Sequence, residues 1–426
     1  MEPAVSSNEK TECPSLRLKR ALQEIRKHEC PEVPNPPGCR KRASVALILR
    51  IHPAASQRPK HPEDHSSAHD LDLSTRLDRF FAQPWVQQGD PEVLLIKRAA
   101  RHGDRWTSHV ALPGGKRDSS DGSDRDTSIR ETMEETGVDL EQEHCLYIGN
   151  LPQRTITTAW GNDPLMVLCP FVYLQTRHDL PPLALQPSEI HSAHWVSLRS
   201  LLLPSLRRSV RCNASERLAR HRTPILRIVL RALVGRLVFS AVKLKPTESL
   251  YSNPLLNVSS DKPKSPSITT TLTRLFTQNQ SDPDDKPMLL WGLTLGIMAD
   301  LLELLDRPAT TKLWSWPTFS PWDIRIVIWL LNHNFRAQKI REIRQLRSPD
   351  GGESEDVQIG GMDDTTYTTS VKRKTGGSEA GVAGMKLLGD YMQRLRNAVI
   401  VALALRVGFG AALASYLFRK YRRRLK

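Results

Sequence analysis

Two short runs of uninterrupted apolar residues, 44–49 (SVALIL) and 92–97 (EVLLIK), stand out along the chain because they lack the polar alternation of a half-buried strand. Runs of this length read as strands buried on both faces. Residues 145–149 and 165–174 read as strands of the same sheet. Residues 16–26 (LRLKRALQEIR) have helical spacing and stop before Pro31, Pro34, Pro36 and Pro37, and a polar, His- and Asp-rich loop is expected from 52 to about 78. Between the strands, Ile129 and Met133 stand four residues apart and Gly137 is placed as a left-handed stop, which predicts a helix from about Asp126 to Thr136. Further on, 235–244 has strand character, 249–285 is rich in Ser, Pro, Asn and Asp and should be mobile, and apolar periodicity returns at 289–305. A helix over 322 to about 346 carries Ile324, Val327, Ile328 and Leu331 on one face, ahead of Arg336, Lys339, Arg341 and Arg344.

The helix at 126–136 holds the candidate chemistry. Glu131, Glu134 and Glu135 occupy i, i+3 and i+4 and share one face. Three carboxylates on one turn repel each other, and a hard divalent cation with oxygen ligands relieves that repulsion. A solvated acidic face is the alternative for a lone Glu-rich helix. The Pro113-Gly114-Gly115 turn upstream, Arg130 beside Glu131, and the closing Gly137-Val138 favour the metal reading.

These residues resemble the Nudix box: a Gly, a Glu, then Arg-Glu-apolar-x-Glu-Glu-x-Gly-apolar. The resemblance implies a Nudix α/β/α sandwich with a mixed sheet, and Mg²⁺ or Mn²⁺ as cofactor. It implies Glu131, Glu134 and Glu135 as metal ligands, Glu131 also as catalytic base, and Arg130 as a catalytic-site residue that orients a carboxylate. Gly114, Gly115, Lys116 and Arg98 are expected to bind substrate, the glycines by letting backbone approach the phosphates. Where the family has its early Glu this chain has Gly122, and the interval from Gly115 to Arg130 is one residue longer. Asp118, Asp121 and Asp124 remain open as replacements. The turn at 113–118, Asp121 and Thr127 resemble the branch that cleaves coenzyme A and its acyl esters, as does the Trp291-Gly-Leu-Thr294 start of a later helix. Against that branch, Ser108-His109 replaces the usual Gly-Glu or Gly-Gln. Glu189 and the strand at 193–198 resemble the strand that the family places opposite the catalytic helix, which leaves Glu189 as either a neighbour of the metal site or a surface carboxylate. The implied substrate is a nucleoside diphosphate-linked small molecule, a coenzyme A derivative above all.

Length and composition frame this core. The 426 residues have 39% hydrophobic content, 30 prolines and a mean hydropathy of −0.41, which suits one catalytic domain with large appendages. The expected organisation is a basic, partly disordered extension at 1–41, a Nudix domain at 42–306 with an insertion at about 206–286, a helical and flexible linker region at 307–384 with a tether near 376–384, and a hydrophobic helix with a basic tail at 385–426. Six cysteines without Cys-x-x-Cys spacing indicate neither a zinc site nor a disulfide framework, and imply a reducing intracellular compartment. The net charge of +15 raises nucleic acid as a partner, with capped RNA as the coherent substrate, but no aromatic-interleaved basic motif accompanies it and nucleic acid is not expected. A non-catalytic binding module is the other class, opposed by the intact Arg130, Glu131, Glu134 and Glu135.

Residues 398–418 are nearly all apolar or small, interrupted by Arg406, and six of the last eight residues are basic. This length can cross a bilayer. Arg406 near its centre costs about 2.5–3.5 kcal/mol on insertion scales. Membrane association is expected through 398–418, with the chain tail-anchored to the mitochondrial outer membrane or the peroxisome.

Overall fold

The computed structural model describes residues 13–57, 71–101, 107–157, 164–213, 233–253, 287–306, 309–310, 313, 317–345 and 380–424. A mixed sheet with strand order β11-β8-β2-β1-β7-β5 runs through its centre. These strands are β1 (Arg42–His52), β2 (Asp90–Arg98), β5 (Cys145–Asn150), β7 (Pro164–Gln175), β8 (Ile190–Ser197) and β11 (Pro246–Tyr251). Short strands β3 (Val110–Ala111), β4 (Gly114–Lys116) and β6 (Arg154–Thr157) pair with β2, β1 and β7. β1 and β7 run parallel at the centre, and the other pairs are antiparallel.

The strands read as unbroken apolar runs because both faces are covered. Alternate residues belong to different cores: Leu47, Leu49, Val93 and Leu95 face one side, Ala46, Ile48, Leu94 and Ile96 the other. The first side is covered by α1 (Pro14–Lys27), α2 (Leu73–Ala82), α3 (Pro84–Gln87) and, much later in the chain, α6 (Gly292–Leu305); α5 (Leu198–Leu202) follows β8 on the same side. The second side carries α4 (Asp124–Thr136). The expected α/β/α sandwich is thus present.

Several local expectations change. The segment at 16–26 is helical, but α1 is built into the main core with Leu18 and Leu22 fully buried. The loop expected from 52 to 78 ends earlier, since Asp72 caps Ser74 and Thr75 and starts α2; residues 58–70 lie outside the described residues. On α4 the expected apolar contact of Met133 is missing, as that side chain is 52% exposed. The helix packs instead through Thr127, Ser128, Thr132 and Thr136, all fully buried, and Ser128 Oγ meets Tyr173 Oη at 2.9 Å. Small side chains let the helix backbone lie close to the sheet.

Within the expected insertion, β9 (Arg207–Asn213) and β10 (Arg236–Lys243) form a second, four-stranded sheet with β12 (Leu289–Trp291) and β13 (Thr318–Phe319). β11 leaves that sheet and joins β8 at the edge of the main one. Residues 249–251, expected mobile, therefore belong to a strand, while 254–286 lie outside the described residues. The helix at 322–346 is α7 (Trp322–Gln345), and the C-terminal helix α8 (Ala380–Arg424) begins inside the expected tether, of which 376–379 lie outside the described residues. Ile324 and Ile328 of α7 are buried against Tyr391, Leu395, Ala398 and Val399 of α8, with Val327 partly buried; Leu331 departs from the expected face and is 47% exposed. One segment of α8, Arg394–Arg423, is long and apolar enough to cross a membrane.

Candidate active site

The site forms where α4 passes under the β4 turn. Ser123 caps the helix by accepting from the Asp126 N–H, and Gly137 ends it in the left-handed conformation at φ 70°. β4 is pinned to β1 opposite Val45, Ser44 and Ala43, which sets Gly114 and Gly115 directly over the carboxylates. A Cβ on Gly114 would lie 2.2 Å from the Ser44 carbonyl oxygen and has no room, while one on Gly115 would lie 2.2 Å from Glu131 Oε2 and push that carboxylate aside. Gly114 also holds φ at 141°.

The three glutamates differ sharply in surroundings. Glu135 is buried, its Oε2 accepts the Gly114 N–H at 2.8 Å, and Arg98 Nη1 stands 3.8 Å from its Oε1. Glu131 is half-buried below Gly115, with Arg130 Nη2 3.1 Å from its Oε1. Glu134 is at the rim, its side chain 53% exposed and engaged by Arg130 Nη1 at 3.3 Å. The expected common face thus spans a gradient from buried to open.

Arg130 is the hub. Its Nε and Nη2 donate to Asp121 Oδ1 and Oδ2 at 2.9 and 3.0 Å, and Nη2 also donates to the Lys116 carbonyl at 3.2 Å. Asp121 accepts in addition from the Asp118 N–H and Thr127 Oγ1, and the guanidinium holds its carboxyl far below the usual range. Of the three aspartates left open, Asp121 is the one paired with the box arginine. Asp124 is taken by Arg42 and Arg117, and Asp118 accepts from Ser119 and Ser120. Sequence spacing leaves Asp121 undecided among the three because the turn is one residue longer and the side chain reaches back across it. Lys116 itself is exposed, so its backbone rather than its ammonium is what the site holds.

Glu189, just ahead of β8, also acts through its charge on Glu131 and Glu135. Arg101 Nη2 donates to its Oε1 at 2.8 Å. Burial raises the Glu131 carboxyl, opposed by Arg130 and helped by Glu134 and Glu189. Burial pushes Glu135 up to about 8 despite the Gly114 N–H and Arg98, with Glu131 and Glu189 adding to the shift. Among the described residues, no three His, Cys, Asp or Glu side chains form a finished cage for a cation. The donor set nevertheless fits Mg²⁺ or Mn²⁺, because such ions are held by one or two carboxylates plus water and substrate phosphate oxygens. Glu131 and Glu135 are desolvated oxygen donors whose mutual repulsion a cation would relieve.

That charge state has a measurable consequence. In the unfolded chain Glu135 releases its proton near its ordinary value of 4.5, whereas the folded, cation-free protein retains it to about 8. The folded state therefore binds more protons in between, and this group's stabilisation is complete below about pH 4.5 and lost as pH rises through 8. In thermal melts of the chelator-treated protein, Tm is expected to fall between about pH 4.5 and 8, and Glu135→Gln is expected to flatten that fall. An equal slope in the variant would show that another group is responsible.

A family model described as the NUDIX domain matches residues 82–212, which include β2, the turn, α4 and β8. An uncharacterized protein of Schizosaccharomyces pombe is 32% identical over 333 residues, covering 76% of this chain and 84% of that protein. The peroxisomal coenzyme A diphosphatase ndx-8 of Caenorhabditis elegans is 36% identical over 112 residues, 26% of this chain and 44% of its own length. Among solved structures, an Ap4A hydrolase from C. elegans is 14% identical, with a TM-score of 0.23, over 37% of this chain and 80% of its own. With a NUDIX domain at residues 82–212 and the relative in S. pombe matched over most of its length, the chain belongs to the Nudix hydrolases.

Proposed function

We propose that this chain hydrolyses the diphosphate of coenzyme A or an acyl-coenzyme A in a divalent-cation-dependent reaction. The observation that carries the reaction is the pair of desolvated carboxylates, Glu131 and Glu135, set against the Gly114-Gly115 backbone. Glu131, Glu134 and Glu135 would hold Mg²⁺ or Mn²⁺, which would supply charge neutralisation at the phosphoryl oxygens and a more acidic water. Glu131, half-buried beside Gly115 with its carboxyl raised by burial, takes the proton of the attacking water. Arg130, anchored by Asp121, fixes the Glu131 and Glu134 carboxylates by charge-assisted hydrogen bonds. Arg98 offers positive charge to the phosphates beside Glu135, and the glycines and Lys116 line the approach.

The substrate reading is supported by the similarity to ndx-8 and by the placement of the Trp291–Thr294 segment. The Trp291 ring packs on His109 with centroids 5.0 Å apart, and Thr294 Oγ1 donates to the Val110 carbonyl at 3.3 Å. That start of α6 therefore braces the strand that leads into the box turn. Cleavage by water is expected to yield 3′,5′-ADP and a phosphopantetheine product, with kcat/KM above that for ADP-ribose, nucleoside triphosphates or capped RNA at matched ionic strength. A higher kcat/KM for capped RNA would move the substrate to nucleic acid. No turnover of any diphosphate with either cation would turn the chain into a binding protein.

The apolar part of α8 supports a second placement, on the cytosolic face of the peroxisomal or mitochondrial outer membrane. Ala398, Val399 and Ala402 are packed against α7, whereas beyond Leu403 the apolar side chains Leu405, Val407, Phe409, Leu413 and Leu417 are exposed.

A further inference from the structure

Helix α7 is apolar on two opposite sides. Ile324 and Ile328 face α8 and are buried, yet Trp322, Ile326, Trp329 and Leu330 are exposed, Trp322 to 74%. Their spacing of i, i+4, i+7 and i+8 makes a single outward stripe. A surface helix of a soluble protein turns a polar face outward; one that is apolar all round needs a second apolar environment. α8 makes the same demand beyond Leu403, where Leu405, Val407, Phe409, Leu413 and Leu417 are exposed on several sides of the helix.

Charge points to what covers these surfaces. Between Trp322 and Asn334 the charged or chargeable residues at neutral pH are Asp323, Arg325 and His333, and between Ala398 and Phe418 the only charged residue is Arg406. Arg406 is not a lone charge interrupting an apolar segment. Its Nε and Nη2 donate to Asp323 Oδ2 and Oδ1 at 2.5 and 2.7 Å, and Nη1 donates to the Leu233 carbonyl. The pair ties the first turn of α7 to the level on α8 where the exposed apolar segment starts. Each apolar stretch then runs into a basic one: Arg336, Lys339, Arg341, Arg344 and Arg347 after the first, with Glu342 the one acidic residue among them, and six of the last eight residues after the second. Apolar surface on all sides followed by clustered cations is complementary to an anionic leaflet, whose surface potential rewards each nearby Lys or Arg.

We propose that α7 and α8 bind an anionic bilayer as one unit, with the Trp322–Leu330 stripe bedded at the headgroup boundary beside the point where α8 enters the lipid. This rests on the membrane reading of α8 and adds that α8 is not an independent tail. Trp side chains suit that boundary, having an apolar body and a polar N–H.

The test uses the full chain and flotation with vesicles of phosphatidylcholine alone or with phosphatidylserine. The wild type is expected to float with the anionic vesicles. Ile326→Asp combined with Trp329→Asp, both at exposed positions, is expected to weaken that binding at least tenfold while metal-dependent diphosphate hydrolysis is unchanged. Trp329→Phe is expected to keep binding but to lose part of the fluorescence quenching by brominated phosphatidylcholine. Removal of 407–426 is expected to leave weak, salt-sensitive binding through α7. If the double Asp variant floats like the wild type and Trp329→Phe leaves quenching unchanged, α7 does not touch lipid and the proposal fails, with the α8 reading intact. If the wild type itself does not float, both readings fail. If the wild type is dimeric in solution and the double Asp variant is monomeric without a change in flotation, the stripe is an interface between copies and the proposal is again overturned.

Discussion

Glu135→Gln is expected to lower cation-dependent diphosphate hydrolysis at least about a hundredfold, the scale seen when a preorganised charge is removed from a reacting centre. The substitution keeps volume and removes only the charge. It is also expected to leave the fold undisturbed, for a reason specific to this site: burial already favours the neutral form of Glu135, and an amide oxygen can accept the Gly114 N–H as the carboxyl does. Glu131→Gln and the more open Glu134→Gln are expected to lower turnover as well. Steady-state kinetics with saturating Mg²⁺ or Mn²⁺, alongside thermal melts, check all three. Near-normal turnover of Glu135→Gln would remove this helix from the reaction.

The largest stability effect is expected far from that chemistry, at Asp300. This residue of α6 forms a buried ion pair with Arg154 of β6, and burial of the guanidinium pulls its pKa down to about 10. Neither partner reaches bulk water: both side chains are less than a tenth exposed. Asp300→Ala strands a cation in the core, which costs about 3–5 kcal/mol. At this size such a loss lowers Tm by roughly 6–20 °C. Combining it with Arg154→Met replaces the pair by apolar packing and is expected to recover much of the loss. A drop of less than about 1 kcal/mol for Asp300→Ala, by chemical denaturation, would mean that the pair is hydrated or dispensable.

The parts of the fold that were legible in the sequence are those governed by short-range pattern. The strands at 44–49 and 92–97 were visible because both faces are covered, and α4 because its cap, its carboxylate spacing and Gly137 all agree. α2 also has a readable local signal, since Leu73, Leu77, Phe80 and Phe81 keep helical spacing behind the Asp72 cap. Other features had no local signature. Arg154 and Asp300 meet across 146 residues and Arg406 and Asp323 across 83, so only the closed fold reveals that each charge is paired. The same holds for Asp121, whose role depends on how the turn folds back onto Arg130 and not on its count from the box. Glu189 fell between two readings because a single Glu has no spacing to test, and its effect on Glu131 and Glu135 is purely spatial.

The strand β11 sets a limit on how small this enzyme can be made. It lies within a segment that looks removable, yet it hydrogen-bonds along β8 from Ser192 to Val196 and covers what would otherwise be an open sheet edge. It also closes a buried charge cluster: Arg50 is shared by Glu92 and Glu248 and lies 4.1 Å over the Trp195 ring, while Thr247 Oγ1 donates to Glu92 at 2.6 Å. Excising all of 206–286 would bare a row of unpaired backbone groups, which invites edge-to-edge aggregation. It would also leave the Arg50–Glu92 pair without its lid. A trimmed, crystallisable form should therefore keep β9, β10 and β11 and be shortened only within 214–232 and 254–286, outside those strands.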